Sequence, residues 1–282
     1  MKKQNKTTPK KDGNTFKIFG IELISNSLEE VLGLAERRIA KSQKTFIVTP
    51  NTEFLVFSRK APWFKRVLMQ SDIAIPDGVA LIWAGEVLKK NNPFFRLLVG
   101  FWTGLKVIFL GWGKRRVTGT DLMAKLCQLA AKKGWSIYLL GGKERIAEKT
   151  LKILQAKSVG LEGWTESGPQ LSLRAGVWSQ ESEKKADQLI KSINAKSPDL
   201  LFVAYTMDKQ LKFIGENWPK LKVKMAMGVG GAFDYLSGEV KRPPQWIQNM
   251  GFEWFYRLMK EPWRWKRQLN LLTFIWLVLK KE

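Results

Sequence analysis

Between Thr15 and about Lys224, short apolar runs alternate with longer stretches whose apolar residues recur at helical spacing. Thr45-Phe46-Ile47-Val48, Ile73-Ala74-Ile75 and Ser136-Ile137-Tyr138-Leu139-Leu140 read as strands, as do Leu200-Leu201-Phe202-Val203-Ala204 and Met225-Ala226-Met227-Gly228-Val229. Helical spacing covers residues 79–90, 121–133, 144–157, 181–195 and 208–218. This alternation predicts an α/β fold around a mainly parallel sheet. Such sheets bind ligands beyond the carboxyl ends of their strands.

Two segments break the rhythm. Residues 94–112 are rich in Phe, Leu, Val and Trp, but Arg96, Lys106 and internal glycines make a poor spanning helix. The segment reads either as an amphipathic hairpin on a membrane or as a buried insertion. The second segment follows Pro243-Pro244, which blocks helix continuation and marks a boundary. Short helices are expected over 246–250, 253–260 and 262–280. Residues 271–279 are nearly all apolar and run into Lys280-Lys281. They are too short to span a bilayer and suit an interfacial helix, the alternative being a terminal helix packed on the core. Residues 1–14 read as a disordered basic tail, neither signal peptide nor anchor.

Charge narrows the partners. The chain carries 48 Lys+Arg against 25 Asp+Glu, a net charge of +23. Such an imbalance calls for nucleic acid, phosphorylated substrates or an anionic lipid surface. Five of the 13 tryptophans (Trp246, Trp254, Trp263, Trp265 and Trp276) share the Arg-rich tail. Trp settles at the water–lipid boundary, where Arg reaches headgroup phosphates. Nucleic-acid binders also mix basic and aromatic residues, so that reading competes. The lone Cys127 excludes an internal disulfide framework and reads as a buried thiol. Histidine is absent, which removes Ser-His and Cys-His nucleophilic systems. Acid–base work falls to carboxylates, Tyr, Lys or the substrate.

Candidate chemistry gathers at strand ends. Asp77, in Ile75-Pro76-Asp77-Gly78, ends a strand and precedes a helix, where a catalytic carboxylate fits but the local sequence favours an ordinary turn or helix cap. Thr49-Pro50-Asn51 ends the preceding strand with a hydroxyl and an amide. Gly141-Gly142 and Gly228-Val229-Gly230-Gly231 follow two further strands and let backbone N–H groups approach a phosphate. Neither loop fits the dinucleotide fingerprint or the P-loop. No Asp-x-Asp pair follows a strand, so Arg116, Arg257, Arg264 and Arg267 are the candidates to neutralise a diphosphate without a metal, or else solvated surface charges.

Several motifs occur in a telling order: Thr49-x-Asn51, Pro76-Asp77-Gly78, Arg116-Val117-Thr118-Gly119-Thr120-Asp121, Gly141-Gly142 and Gly228-Val229-Gly230-Gly231-Ala232-Phe233-Asp234. Trp254-Phe255-Tyr256-Arg257-Leu258-x-x-Glu261-Pro262-x-Arg264-Trp265 completes the series. From about Phe16 to the late 260s the chain resembles the WecG/TagA/CpsF glycosyltransferases. The resemblance implies inverting, metal-independent and cofactor-free transfer from a UDP-sugar, of N-acetylmannosamine type or a related hexose, to an undecaprenyl-diphosphate-linked saccharide. The product would serve a cell-surface polysaccharide or teichoic acid. By resemblance Asp77 is the general base, while Thr49, Asn51, Arg116 and Gln210 bind the sugar. Gly141, Gly142, Gly230, Gly231 and Asp234 fall to the nucleotide, and Arg257, Arg264 and Arg267 to the diphosphate and lipid. One departure stands out: the family's Gly-x-Pro-x-Gln-Glu reads Thr206-Met207-Asp208-Lys209-Gln210-Leu211 here.

The expected architecture is a Rossmann-like α/β domain over 15–244, with helices on both faces of a mainly parallel sheet, the apolar insertion at 94–112, and a helical membrane-binding appendage over 245–282. The resemblance implies a peripheral enzyme on the inner face of the bacterial cell membrane and admits a homo-oligomer; nucleic acid is not an expected partner. The competing readings are a nucleic-acid-binding protein and a catalytically silent scaffold. The first leaves the Pro-Asp-Gly and Gly-Gly-Ala-Phe-Asp motifs without purpose; the presence of Asp77 and Gln210 counts against the second.

Overall fold

The computed structural model describes residues 15–109, 117–262 and 265–281. The chain opens with a hairpin, β1 (Thr15–Ile18) and β2 (Ile21–Ile24), turned by Phe19 and Gly20 with positive φ. Helix α1 (Leu28–Ala40) starts at a capping box in which Ser27 and Glu30 satisfy each other's backbone N–H groups. Then come β3 (Thr45–Val48), α2 (Thr52–Lys60), α3 (Pro62–Met69), β4 (Ile73–Ala74), α4 (Val79–Val87) and α5 (Pro93–Phe109). The middle of the chain forms α6 (Gly119–Lys133), β5 (Ile137–Gly141), α7 (Ile146–Lys157) and β6 (Gly163–Glu166). A small hairpin, β7 (Leu173–Arg174) and β8 (Val177–Trp178), precedes α8 (Gln180–Lys196), β9 (Leu200–Ala204), α9 (Met207–Asn217) and β10 (Met225–Gly228). The chain closes with α10 (Ala232–Leu236), α11 (Gln245–Asn249), α12 (Glu253–Lys260) and α13 (Trp265–Lys280).

Six strands form one parallel sheet in the order β4-β3-β10-β9-β5-β6. Successive residues of a strand face opposite sides, and the two cores follow that alternation. Phe46, Tyr138, Leu140, Leu201, Val203 and Ala226 pack with α2, α3, α4, α8, α9 and α13. Ile47, Ile137, Leu139, Phe202, Met225 and Met227 pack with α1, α6, α7 and α10. The sheet is therefore apolar on both faces, as a parallel sheet covered by helices must be. Cys127 is fully buried, and burial pushes its thiol well above the usual range.

The segment over 94–112 is not a hairpin. Through Phe109 it is the single helix α5, with residues 110–112 outside the described residues. Arg96, Thr103 and Val107 are buried on one flank, while Phe94, Leu97, Phe101 and Trp102 are exposed on the other. Helix α13 is likewise two-sided. Phe274, Leu277 and Val278 enter the core, so the terminal helix does pack on the domain. Trp265, Leu269, Leu272 and Trp276 form an exposed apolar stripe along its other side. No described helix is long and apolar enough to cross a membrane.

Candidate active site

The loops at the carboxyl edge of the sheet converge on one cleft. After β3, Asn51 caps α2, its side-chain oxygen accepting from the Phe54 N–H at 3.2 Å. Thr49 lies against the first turn of α6, where a Cβ on Gly119 would come within 2.9 Å of Thr49 Oγ1. A glycine there lets the helix close onto the strand end. After β4, the Asp77 N–H donates to the Pro50 carbonyl at 2.8 Å, which draws Asp77 beside Thr49 and Asn51. The N-cap of α4 is Gly78, with φ of +117° and no side-chain cap bond. Asp77 precedes that cap and lines the cleft.

The remaining strand ends supply the glycine turns. A Cβ on Gly141 would stand 2.6 Å from the Ala204 carbonyl oxygen, so glycine is required there by strand packing. Gly142 and Lys143 line the cleft, whereas Gly141 is buried in the sheet. Gln210, only 5 % exposed, accepts from the Gly230 N–H at 2.8 Å through Oε1 and pins the turn after β10. Gly230, Gly231 and Asp234 line the same cleft. Burial raises the Asp234 carboxyl above the usual range; Lys143 and Arg257 oppose the shift, and Glu261 and Glu239 add to it.

The C-terminal helices form the facing wall. Arg257 Nε donates to Glu261 at 3.0 Å, and its guanidinium stacks 5.1 Å over the Tyr235 ring. Arg267 reaches from α13 to Glu53 in the first turn of α2, with Nε 3.1 Å from both carboxylate oxygens. Gly251, at φ of +77°, lets the α11–α12 turn approach α4, where a Cβ would lie 2.7 Å from Val79 Cγ2. Arg116 and Arg264 lie outside the described residues.

Three features escaped the sequence reading. Arg242 grips Asp121 bidentately at 2.6 and 3.2 Å, and the Thr118 hydroxyl donates to the same carboxylate at 2.7 Å. This pair ties the segment after α10 to the start of α6. Lys143 and Glu53 also line the cleft. Nothing local in the sequence couples Arg242 to Asp121, or Arg267 to Glu53, across separations of 121 and 214 residues.

The cleft encloses about 1060 Å³. Its sheet side is polar; where α4, α5 and α13 meet, it is apolar. Among the described residues, no group of three or more Cys, Asp and Glu side chains gathers as a metal centre would require. Chemically, the cleft offers a carboxylate on a strand end, glycine turns with accessible backbone, and arginines on the opposite wall. A cleft at the carboxyl edge, spanning the place where connections from the neighbouring strands β9 and β5 diverge to opposite sides of the sheet, defines a doubly wound α/β protein built to take a polar ligand.

The chain is a glycosyltransferase and belongs to the glycosyl transferase WecG/TagA/CpsF family, whose model matches residues 16–98 and 103–282. It is 28% identical over 269 residues to the N-acetylglucosaminyldiphosphoundecaprenol N-acetyl-beta-D-mannosaminyltransferase of Bacillus subtilis (strain 168), covering 94% of this chain and 91% of that one. The protein of the same name from Bacillus spizizenii (strain ATCC 23059 / NRRL B-14472 / W23) is 27% identical over 242 residues, or 86% of this chain and 81% of that one.

Proposed function

We propose that the protein transfers an N-acetylmannosamine-type sugar from a UDP-sugar to an undecaprenyl-diphosphate-linked saccharide, in synthesis of a cell-surface polymer. The observation that carries this reading is Asp77 beside Thr49 and Asn51 on one wall, with Arg257 and Arg267 on the other. The names of the two relatives supply the sugar and the acceptor class.

In the proposed reaction the acceptor hydroxyl attacks the anomeric carbon of the donor. The Asp77 carboxylate takes the hydroxyl proton as the new glycosidic bond forms. The bond from the anomeric carbon to the diphosphate oxygen breaks on the opposite face, inverting the centre. The charge then held by UDP is met by Arg257 and, by resemblance, Arg264, while Arg116 by resemblance holds the sugar. Gln210 holds the turn over 228–231 against the donor, with Gly142, Gly230, Gly231 and Asp234 along the nucleotide; Gly141, packed on Ala204, supports the Gly142 turn from within the sheet.

The exposed aromatic residues of α11, α12 and α13, with the basic tail, suit docking on an anionic membrane. Each Lys or Arg close to such a surface contributes roughly 1 kcal/mol.

The test is UDP release from a panel of UDP-sugars, with a short-chain lipid-diphosphate saccharide and EDTA present, comparing wild type and Asp77→Ala. Acceptor-dependent turnover that survives EDTA and collapses in the variant is the expected result. Unchanged turnover in Asp77→Ala removes the carboxylate from the mechanism, and loss of wild-type turnover in EDTA defeats metal independence.

A further inference from the structure

Two glycines lie one turn apart in α5, and their surroundings differ. At Gly100 an added Cβ would meet Trp83 Cζ2 at 3.2 Å, and the Trp83 indole N–H donates to the Gly100 carbonyl at 2.9 Å. Close helix packing accounts for that glycine. At Gly104 an added Cβ meets no atom of the described residues within 4 Å, and the residue lines the cleft. A glycine inside a helix is less favourable than any residue but proline. Packing does not require it at Gly104; what it does is leave the apolar arm of the cleft wide.

That arm is walled by Trp83 of α4, Gly104 and Val107 of α5, and Leu271 and Ile275 of α13. Helix α13 grades along its cleft side from Arg267 and Gln268 to Leu271 and then Ile275. A cationic first turn followed by apolar turns spans about 12 Å at the helical rise. The adjoining sides of α5 and α13 carry exposed apolar residues, among them Phe101, Trp102, Leu272 and Trp276. A ligand matching this sequence has an anionic head, then a hydrocarbon chain, and leaves the protein across an apolar surface.

We propose that the arm between α4, α5 and α13 holds the head-proximal stretch of the acceptor's polyprenyl chain, and that Gly104 determines whether the chain is admitted. The inference rests on the lipid-diphosphate acceptor of the proposed function and adds the place and direction of its chain. The diphosphate lies by Arg267, the chain runs past Leu271 and Ile275, and the remainder passes over the outer stripes of α5 and α13 into lipid. Enlarging residue 104 fills the arm while leaving the sheet-edge loops as they are.

The experiment uses the full chain and two acceptors with the same saccharide-diphosphate head, a short one carrying only a methyl group in place of the prenyl chain and a long one on a polyprenyl chain in detergent. In Gly104→Leu, the ratio of kcat/KM for the long to the short acceptor is expected to fall at least tenfold. Gly104→Ala strengthens the helix with far less filling, so it should change the ratio little and separates helix stability from volume. An unchanged ratio in a Gly104→Leu variant that melts like wild type overturns the proposal. Independently of turnover, a benzophenone-bearing farnesyl diphosphate should crosslink to peptides of α4, α5 and α13, with labelling reduced in Gly104→Leu. Labelling confined to other peptides overturns the chain site even where transfer is intact. Labelling in the arm without transfer from any UDP-sugar keeps the chain site and defeats the transferase chemistry proposed above.

Discussion

The two walls of the cleft are built in different ways. The sheet wall consists of strand-end loops held by backbone hydrogen bonds and buried polar contacts: Asp77 on Pro50, Gly142 on Ala204, and Gln210 on Gly230. Each of those loops is an extension of a strand buried on both faces. The helical wall is anchored by the inner face of α13, by the Gly251 contact on Val79, and by charged pairs such as Arg267 with Glu53. It leaves Trp246, Phe255, Met259 and Trp276 exposed. The first wall suits the fixed geometry that bond-making needs. The second suits an element that meets a large partner, because its outer surface is apolar and its inner surface carries the cations.

Substitutions sharpen or break that division. Asp77→Asn keeps the shape of the rigid wall and removes a proton acceptor, so kcat should fall about 10²- to 10⁴-fold, with donor binding preserved. A loss of less than about tenfold in single-turnover rates would assign the base elsewhere. Arg257→Ala, on the helical wall, removes charge-assisted hydrogen bonds worth about 1.5–3 kcal/mol. It should lower kcat/KM roughly 10- to 100-fold while barely shifting the melting temperature; a large loss of stability would make Arg257 a structural residue.

Gln210→Leu should separate the walls by stability. It leaves the Gly230 N–H without its acceptor in a partly buried turn, at a cost of about 1–3 kcal/mol. Denaturant unfolding that shows no change would mean the turn holds itself. Next, Trp265→Ser combined with Trp276→Ser should weaken sedimentation with vesicles containing anionic lipid and leave the melting curve near wild type, since both rings are exposed. Undiminished vesicle binding would move membrane contact off α13.

The smallest expected effect is electrostatic. Because the folded protein raises the Asp234 carboxyl, its favourable contribution is present below the ordinary value of 3.8 and is lost as pH rises through the shifted one. Asp234→Asn should therefore be slightly more stable than wild type at neutral pH, with the gap closing below that window. A variant less stable at pH 7 would mean that Lys143 and Arg257 outweigh burial.

Much of the sheet wall is legible in the chain. Its strands are short apolar runs ended by turn residues, so the five strands read from pattern recur in the structure with boundaries displaced by no more than a residue. The edge strand β6, Gly-Trp-Thr-Glu, lacks an apolar run and is recognised only through its pairing with β5. The β1–β2 hairpin was hidden for a similar reason: four-residue strands around Phe19-Gly20 give little periodicity. Helix α5 reads ambiguously because an apolar segment with charges suits a hairpin as well as a helix. Its inner flank is selected by the preceding α4 and by α13, which is distant in sequence.

By itself the sequence determined the α/β alternation, the turn glycines, the absence of histidine chemistry and the motifs that mark the family, since each depends on neighbours within a few residues. Only the tertiary structure decided that Asn51 caps α2, that Gly141 serves strand packing while Gly142 lines the cleft, and that Arg267 pairs with Glu53. It alone distinguishes Gly100, which is packed, from Gly104, which faces open cleft. The physical reason is the same in each case. A residue's type limits which contacts it can make, but the partner that claims it arrives from another part of the chain, brought there by the sheet order and the packing of helices around it.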